Sequence, residues 1–209
     1  MNQVFLNPII VAIDKNSETE AYQLTKELVG YVGAIKLGLE FFDTYGPDGI
    51  RNLQKLKIPI FLDLKIHDIP QTVKKTIDTL SSLKPDILNV HALGGKKMMQ
   101  FALESLLNNS PNTQLVAVTI LTSLDDDDLQ MMEMNISTKN LVSSLAKLTK
   151  ETGLSGVVCS SEEIFVISVN NLVPLTVLLF TPVIVSVWSL PSKSLPVMVK
   201  VTDSLLEEL

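Results

Sequence analysis

Between about residue 8 and residue 160 the chain alternates, six times over, between a short apolar run and a longer amphipathic stretch. The apolar runs are Pro8 to Ile13, Gly33 to Leu37, Ile58 to Lys65, Asp86 to Val90, Leu115 to Ile120 and Gly156 to Cys159. Their length and β-branched content read as strands buried on both faces. The stretches between them carry helix signals. Ser17 with Glu20 forms a capping box for a helix through Leu28. Further helices are expected over Tyr45 to Lys55, from Pro70 and Gln71 to Leu83, from Gly94-Gly95 to Leu107, and over Thr138 to Lys150. Strands alternating with helices at this spacing imply βα units, right-handed crossovers and a parallel sheet. An eight-stranded barrel and an open doubly wound sheet both accommodate the pattern. The barrel is favoured because polar residues recur at the ends of successive strands: Asp14, Lys36, Asp63 with Lys65, His91 and Thr122. A doubly wound sheet would gather them at one switch point.

Composition narrows the classes. A chain of 209 residues suits one domain with a substantial core. Seventeen Lys and Arg against 23 Asp and Glu give a net charge of −6, which argues against a nucleic-acid surface. The single cysteine, Cys159, excludes an internal disulfide framework and is expected to pack in the sixth strand of a cytoplasmic protein. Met1-Asn2-Gln3 lacks the basic start of a secretory leader. Two histidines, His67 and His91, are too few for a histidine-based metal site and read as packing residues, so no metal is expected. The acidic run Asp125 to Asp128 reads as a solvated helix start.

The densest chemistry lies in Asp63-Leu64-Lys65-Ile66-His67-Asp68-Ile69-Pro70. In a regular strand Asp63 and Lys65 share a face, opposite Leu62 and Leu64. Two opposite charges on the inner face of an apolar strand are costly unless used. An isolated Asp-x-Lys would read as a structural ion pair. With Lys36, Asp68 and Asp14 also at strand ends, the array reads as an active site.

These segments resemble the orotidine 5′-phosphate decarboxylase family. The likeness rests on Val11-Ala12-Ile13-Asp14, Ile35-Lys36-Leu37-Gly38, Phe61 through Thr72, Asn89 through Gly95, Val118 through Ser123, and Gly156 through Ser160, in the family's order. It implies a (β/α)8 TIM barrel that removes CO₂ from orotidine 5′-phosphate without metal or organic cofactor. Under that resemblance Lys65 would give a proton to C6, Asp63 would stand beside the leaving carboxylate, and Lys36 and Asp68 would complete an alternating Lys-Asp-Lys-Asp network. Asp14 and Thr72 would hold ribose hydroxyls, and Thr122 the pyrimidine or its carboxylate. Asp68 and Thr72 would serve the neighbouring subunit's site, which makes the expected unit a homodimer.

The composition changes near residue 164. Residues 164–192 form a run of 29 without Asp, Glu, Lys or Arg, and no glycine follows Gly156. The 19 residues 172–190 reach the length of a membrane span, but Pro174 and Pro182 interrupt them and no Lys/Arg cluster flanks them, so a membrane partner is not expected. A buried seventh strand at Thr176 to Phe180 is the plainer reading. The resemblance covers residues 1–163 and fades beyond. The family's Thr-Pro-Gly-Ile-Arg segment is matched only by Thr181-Pro182, its Gly-Arg-Pro-Ile-Thr segment is missing, and no arginine follows Arg51. A single domain is therefore expected, with its last two βα units degenerate or incomplete and with residues 164–209 resembling another reading frame or a decayed end. Two other functions remain open: a non-catalytic dimerising remnant without its phosphate clamp, and a metal-dependent sugar-phosphate decarboxylase that shares Asp-x-Lys-x-x-Asp.

Overall fold

The computed structural model describes residues 7–15, 17–160, 163, 176–181 and 197–200, the last two segments as backbone alone. β1 (Ile9–Ala12) leads into α1 (Glu18–Leu28), whose first turn is capped by Ser17 Oγ accepting from Glu20 N at 3.2 Å. Ala21, Leu24, Thr25 and Leu28 lie on one stripe of α1, the spacing that turns a single helical face onto a sheet. β2 (Ala34–Gly38) and α2 (Leu39–Gln54) follow. α2 starts six residues before the expected Tyr45, because two helical segments join across a kink at Gly46 (φ 56°, ψ −155°). Pro47 then opens the second segment, where its missing N–H costs nothing.

β3 (Ile60–Ile66) is followed by α3 (Pro70–Ser81), which has proline in its first turn. β4 (Ile87–His91) passes through one 3₁₀ turn (Ala92–Gly94) into α4 (Gly95–Asn109). β5 (Gln114–Val118) precedes a short helix, α5 (Asp126–Met131), at the expected acidic helix start. The acidic run is its start: Asp125 and Asp128 form a reciprocal capping box. α6 (Thr138–Thr152) ends at Gly153 in the left-handed region (φ 89°), and β6 (Gly156–Ser160) follows.

All strand pairs are parallel, which gives a parallel α/β fold. The expected seventh strand forms as β7 (Thr176–Thr181), and β8 (Val197–Lys200), which the alternation did not foresee, lies beyond it. β7 pairs with β6, and β8 pairs with both β7 and β1, so the hydrogen-bonded order returns to β1. The rest of the uncharged run, including Pro174, Pro182 and Val183, falls outside the described residues. Of the 172–190 stretch, residues 176–181 are strand, and among the described residues no helix is long and apolar enough to cross a membrane.

The sheet has two apolar sides. Its outer side packs on the helices through a large cluster that includes Leu37, Leu62, Leu88, Val73, Ile77 and Ala102. Its inner side holds Ile10, Ala34, Phe61, Ile87, Val116, Val118 and Val158. Strand side chains repeat every second residue, so two positions further along β2, β3 and β4 the inner layer is Lys36, Asp63 and Asn89. A polar layer therefore sits directly on an apolar floor, at the strands' C-terminal ends.

Candidate active site

Asp63 is the centre of this layer. Its side chain is 1% exposed, with Lys36 Nζ 3.1 Å from Oδ2 and Lys65 Nζ 2.7 Å from Oδ1. Asn89 Nδ2 donates to the same Oδ1 at 2.6 Å. Burial drives the Asp63 carboxyl pKa upward, but the two ammonium groups and the hydrogen bonds from Lys65 and Asn89 outweigh it, leaving the value below the ordinary 3.8. Asp63 is therefore ionised at neutral pH. The Lys36–Asp63–Lys65 group sums to one positive charge, an electrostatic setting suited to an anionic ligand.

Lys65 reaches Asp63 by a different route from the one a regular strand suggests. Leu62 pairs with Leu88 and Ile66 with Val90, so Asp63, Leu64 and Lys65 together face Asn89 alone. This is a bulge, which bends a strand and re-aims its side chains. Lys65 takes up the slack with φ 49°, a left-handed conformation that costs a non-glycine residue on the order of 1–3 kcal/mol. Its N–H is held by Asn89 Oδ1 at 2.7 Å. The strained backbone carries a side chain still 25% exposed, directed onto a carboxylate that is not.

The other expected site residues lie on the exposed rim around the buried group. Asp68 is exposed, and its Oδ1 accepts from its own neighbour Ile69 N at 2.6 Å. The four-member network of the sequence reading is thus a three-member cluster in the single chain, with Asp68 outside it. Asp14 is exposed just past β1, Thr72 is exposed in the first turn of α3, and Thr122 is exposed in the loop after β5.

Behind Lys65 the two histidines meet, their rings 5.4 Å apart. His91 is held below the ordinary imidazole pKa of 6.5 by burial first, then by repulsion from His67 and Lys65, against a smaller pull from Asp63. Its Nδ1 is buried with no hydrogen-bond partner. The Cys159 thiol, buried on β6 as expected, is pushed up to about 12 by desolvation and then by Glu163, so it is no nucleophile at neutral pH. No group of three or more His, Cys, Asp or Glu able to hold a metal occurs among the described residues. Asn89 is the site residue that the sequence reading gave no role, although a buried amide on the inner face of β4 was the available signal.

Residues 7–184 match the model of the orotidine 5′-phosphate decarboxylase / HUMPS family, a span that passes the compositional break at 164. Over 160 residues the chain is 47% identical to an orotidine 5′-phosphate decarboxylase of Ehrlichia chaffeensis, covering 77% of this chain and 68% of that protein. A relative of the same name from Rhodospirillum rubrum is 40% identical over 195 residues, covering 90% of this chain and 78% of its own length. Among solved structures, that of orotidine 5′-phosphate decarboxylase from Lactobacillus acidophilus superposes with a TM-score of 0.74 at 33% identity, over 93% of this chain and 89% of that one. The buried Lys36–Asp63–Lys65 cluster thus lies on a framework shared along most of the chain, which belongs to the orotidine 5′-phosphate decarboxylase / HUMPS family.

Proposed function

We propose that this chain decarboxylates orotidine 5′-phosphate to UMP, a step of pyrimidine biosynthesis, without a cofactor and in the cytoplasm. The observation that carries the reading is one buried carboxylate, Asp63, clasped by two lysines at the strand ends of a chain 47% identical to a decarboxylase of that name. The bond from C6 to the carboxylate carbon breaks, CO₂ leaves, and the electron pair stays on C6. The Lys65 ammonium stabilises that negative charge and gives C6 its proton, as a fixed cation does best in a water-poor site. Asp63 stands near the substrate carboxylate and holds Lys65 in line, and Lys36 balances Asp63 from the other side. Asp14 and Thr72 take ribose hydroxyls and Thr122 takes the pyrimidine. Asp68 and Thr72 act in the site of a second copy, so the working unit is a homodimer.

In this reading the chain is a single (β/α)8 barrel domain whose last two βα units are incomplete, family-like over 1–163 and divergent over 164–209. One observation favours a second reading, a folded dimerising remnant with little activity. The sole arginine, Arg51, lies on α2 and pairs with Asp48 at 2.8 Å, which leaves no arginine for phosphate at the later strands. A metal-dependent sugar-phosphate decarboxylase is the third, and it would lose its activity to EDTA, whereas orotidine 5′-phosphate turnover would not.

The test follows the absorbance of orotidine 5′-phosphate with the purified chain and with Lys65→Ala. Turnover by the parent and none by the variant is expected. Substantial turnover by Lys65→Ala would remove Lys65 from its role, and none by the parent would favour the remnant.

A further inference from the structure

Three residues of β3 face one residue of β4, and that residue is Asn89, which is 0% exposed. Both ends of its amide are engaged. Nδ2 donates to Asp63 Oδ1 at 2.6 Å, and Oδ1 accepts from Lys65 N at 2.7 Å. A carboxylate can only accept and a backbone N–H can only donate, so the amide has one workable orientation. The bonds reach two different parts of the cluster. One ends on the Asp63 carboxylate, and the other ends on the left-handed backbone from which the Lys65 ammonium projects (φ 49°).

We infer that Asn89 is a positioning residue, whose side chain ties the Asp63 carboxylate to the strained backbone of Lys65 and so sets where the Lys65 ammonium stands. A bulge that leaves a non-glycine residue in the left-handed region persists only if its surroundings hold it there. Within the bulge, Asn89 supplies the hydrogen bond that the missing ladder partner of Lys65 would otherwise give. Because the same amide grips Asp63, carboxylate and ammonium move together. Asn89 lies in the polar layer beneath Lys65 and acts on the reaction through Asp63 and Lys65. This inference deepens the decarboxylase reading and rests on it for its kinetic consequence alone.

Two substitutions separate the two bonds. Asn89→Leu keeps the size and removes both, whereas Asn89→Asp keeps the acceptor for Lys65 N and replaces the donor toward Asp63 with a like charge. Amide exchange at Lys65 and the carbon-13 titration of the Asp63 carboxyl, assigned with Asp63→Asn, are followed in the full-length protein. Asn89→Leu should speed Lys65 exchange at least tenfold. Asn89→Asp should keep that exchange within threefold of the parent while moving the Asp63 titration to higher pH. If Asn89→Leu fails to fold, Asn89→Asp decides by that separation. In an active chain, Asn89→Leu should lower kcat at least tenfold and leave KM within threefold. Unchanged Lys65 exchange in a folded Asn89→Leu, an unmoved Asp63 titration in Asn89→Asp, or an unchanged kcat would each overturn the inference. The magnetic-resonance readouts need no turnover, so an inactive parent would sink the decarboxylase reading while these measurements still judge Asn89.

Discussion

At the scale of residues, Asp63 is both the electrostatic centre and the most exposed to mutation. Removing its carboxylate would take from the buried Lys36 and from Lys65 the carboxylate that each pairs with at 3.1 and 2.7 Å. Breaking a buried pair in this way costs about 3 kcal/mol or more, and Asp63→Ala should show that loss in urea unfolding at pH 7. Since the folded pKa of Asp63 lies below its ordinary value, the stability it contributes is complete above about pH 4 and disappears as pH falls through the folded value. The variant should therefore show a flatter acid limb. His91 adds a second dependence. Its folded pKa is below 6.5, so under pH 6.5 the unfolded chain takes up this proton more readily and the native state loses ground. His91→Gln should reduce the fall in stability between pH 7 and pH 5, as read by thermal melts, and an unaltered slope would show that the imidazole is not the cause. Lys36 and Asp63 were legible in the sequence because a charge inside an apolar strand stands out. Asn89 was not, since an amide within Ile87-Leu88-Asn89-Val90-His91 carries no charge and marks no strand end.

At the scale of elements, the period-two and period-3.6 patterns placed the first six strands and five of the helices, and they failed where the backbone departs from regularity. Alternation gave the right neighbours for Asp63 and Lys65 for an incomplete reason. It assumed an even strand, whereas a bulge with a left-handed lysine performs the alignment. The kink in α2 failed in the same way. The expected helix began only at Tyr45, so the segment from Leu39 was missed; glycine allows φ 56° with ψ −155°, which joins the two helical segments. A Cβ at Gly46 would meet nothing within 4 Å, so substitution there tests backbone strain without a clash. Gly46→Ala should cost about 1–3 kcal/mol in chemical denaturation, because that conformation is nearly confined to glycine. A neutral result would mean that α2 can straighten at no cost. Gly33 is the contrasting case, where an added Cβ would run into the Asn7 carbonyl oxygen.

At the scale of the whole molecule, phosphate binding and assembly decide whether a well-built centre works. Remote binding energy is what lets an enzyme act at the reacting atoms, and arginine is the side chain suited to bidentate phosphate contacts. With none after Arg51, UMP should bind about a hundred-fold more weakly than to a version given the family's Gly-Ile-Arg and Gly-Arg-Pro segments, a difference of about 3 kcal/mol. Calorimetry on both proteins measures it, and equal affinities would show that another group serves the phosphate. Assembly bears on Asp68. Its exposure, and its separation from the buried Lys36–Asp63–Lys65 cluster, fit a side chain that completes a site on another copy. Lys65→Ala and Asp68→Ala should then each be inactive alone. In a heterodimer of the two, one site takes both defects and the other takes neither. Random mixing should restore about a quarter of the parental activity, since half of the dimers are mixed and each has one intact site. Sedimentation should show about twice 23.0 kDa. Mixed subunits that stay inactive although they exchange and dimerise would place Asp68 in its own chain's site, or in none.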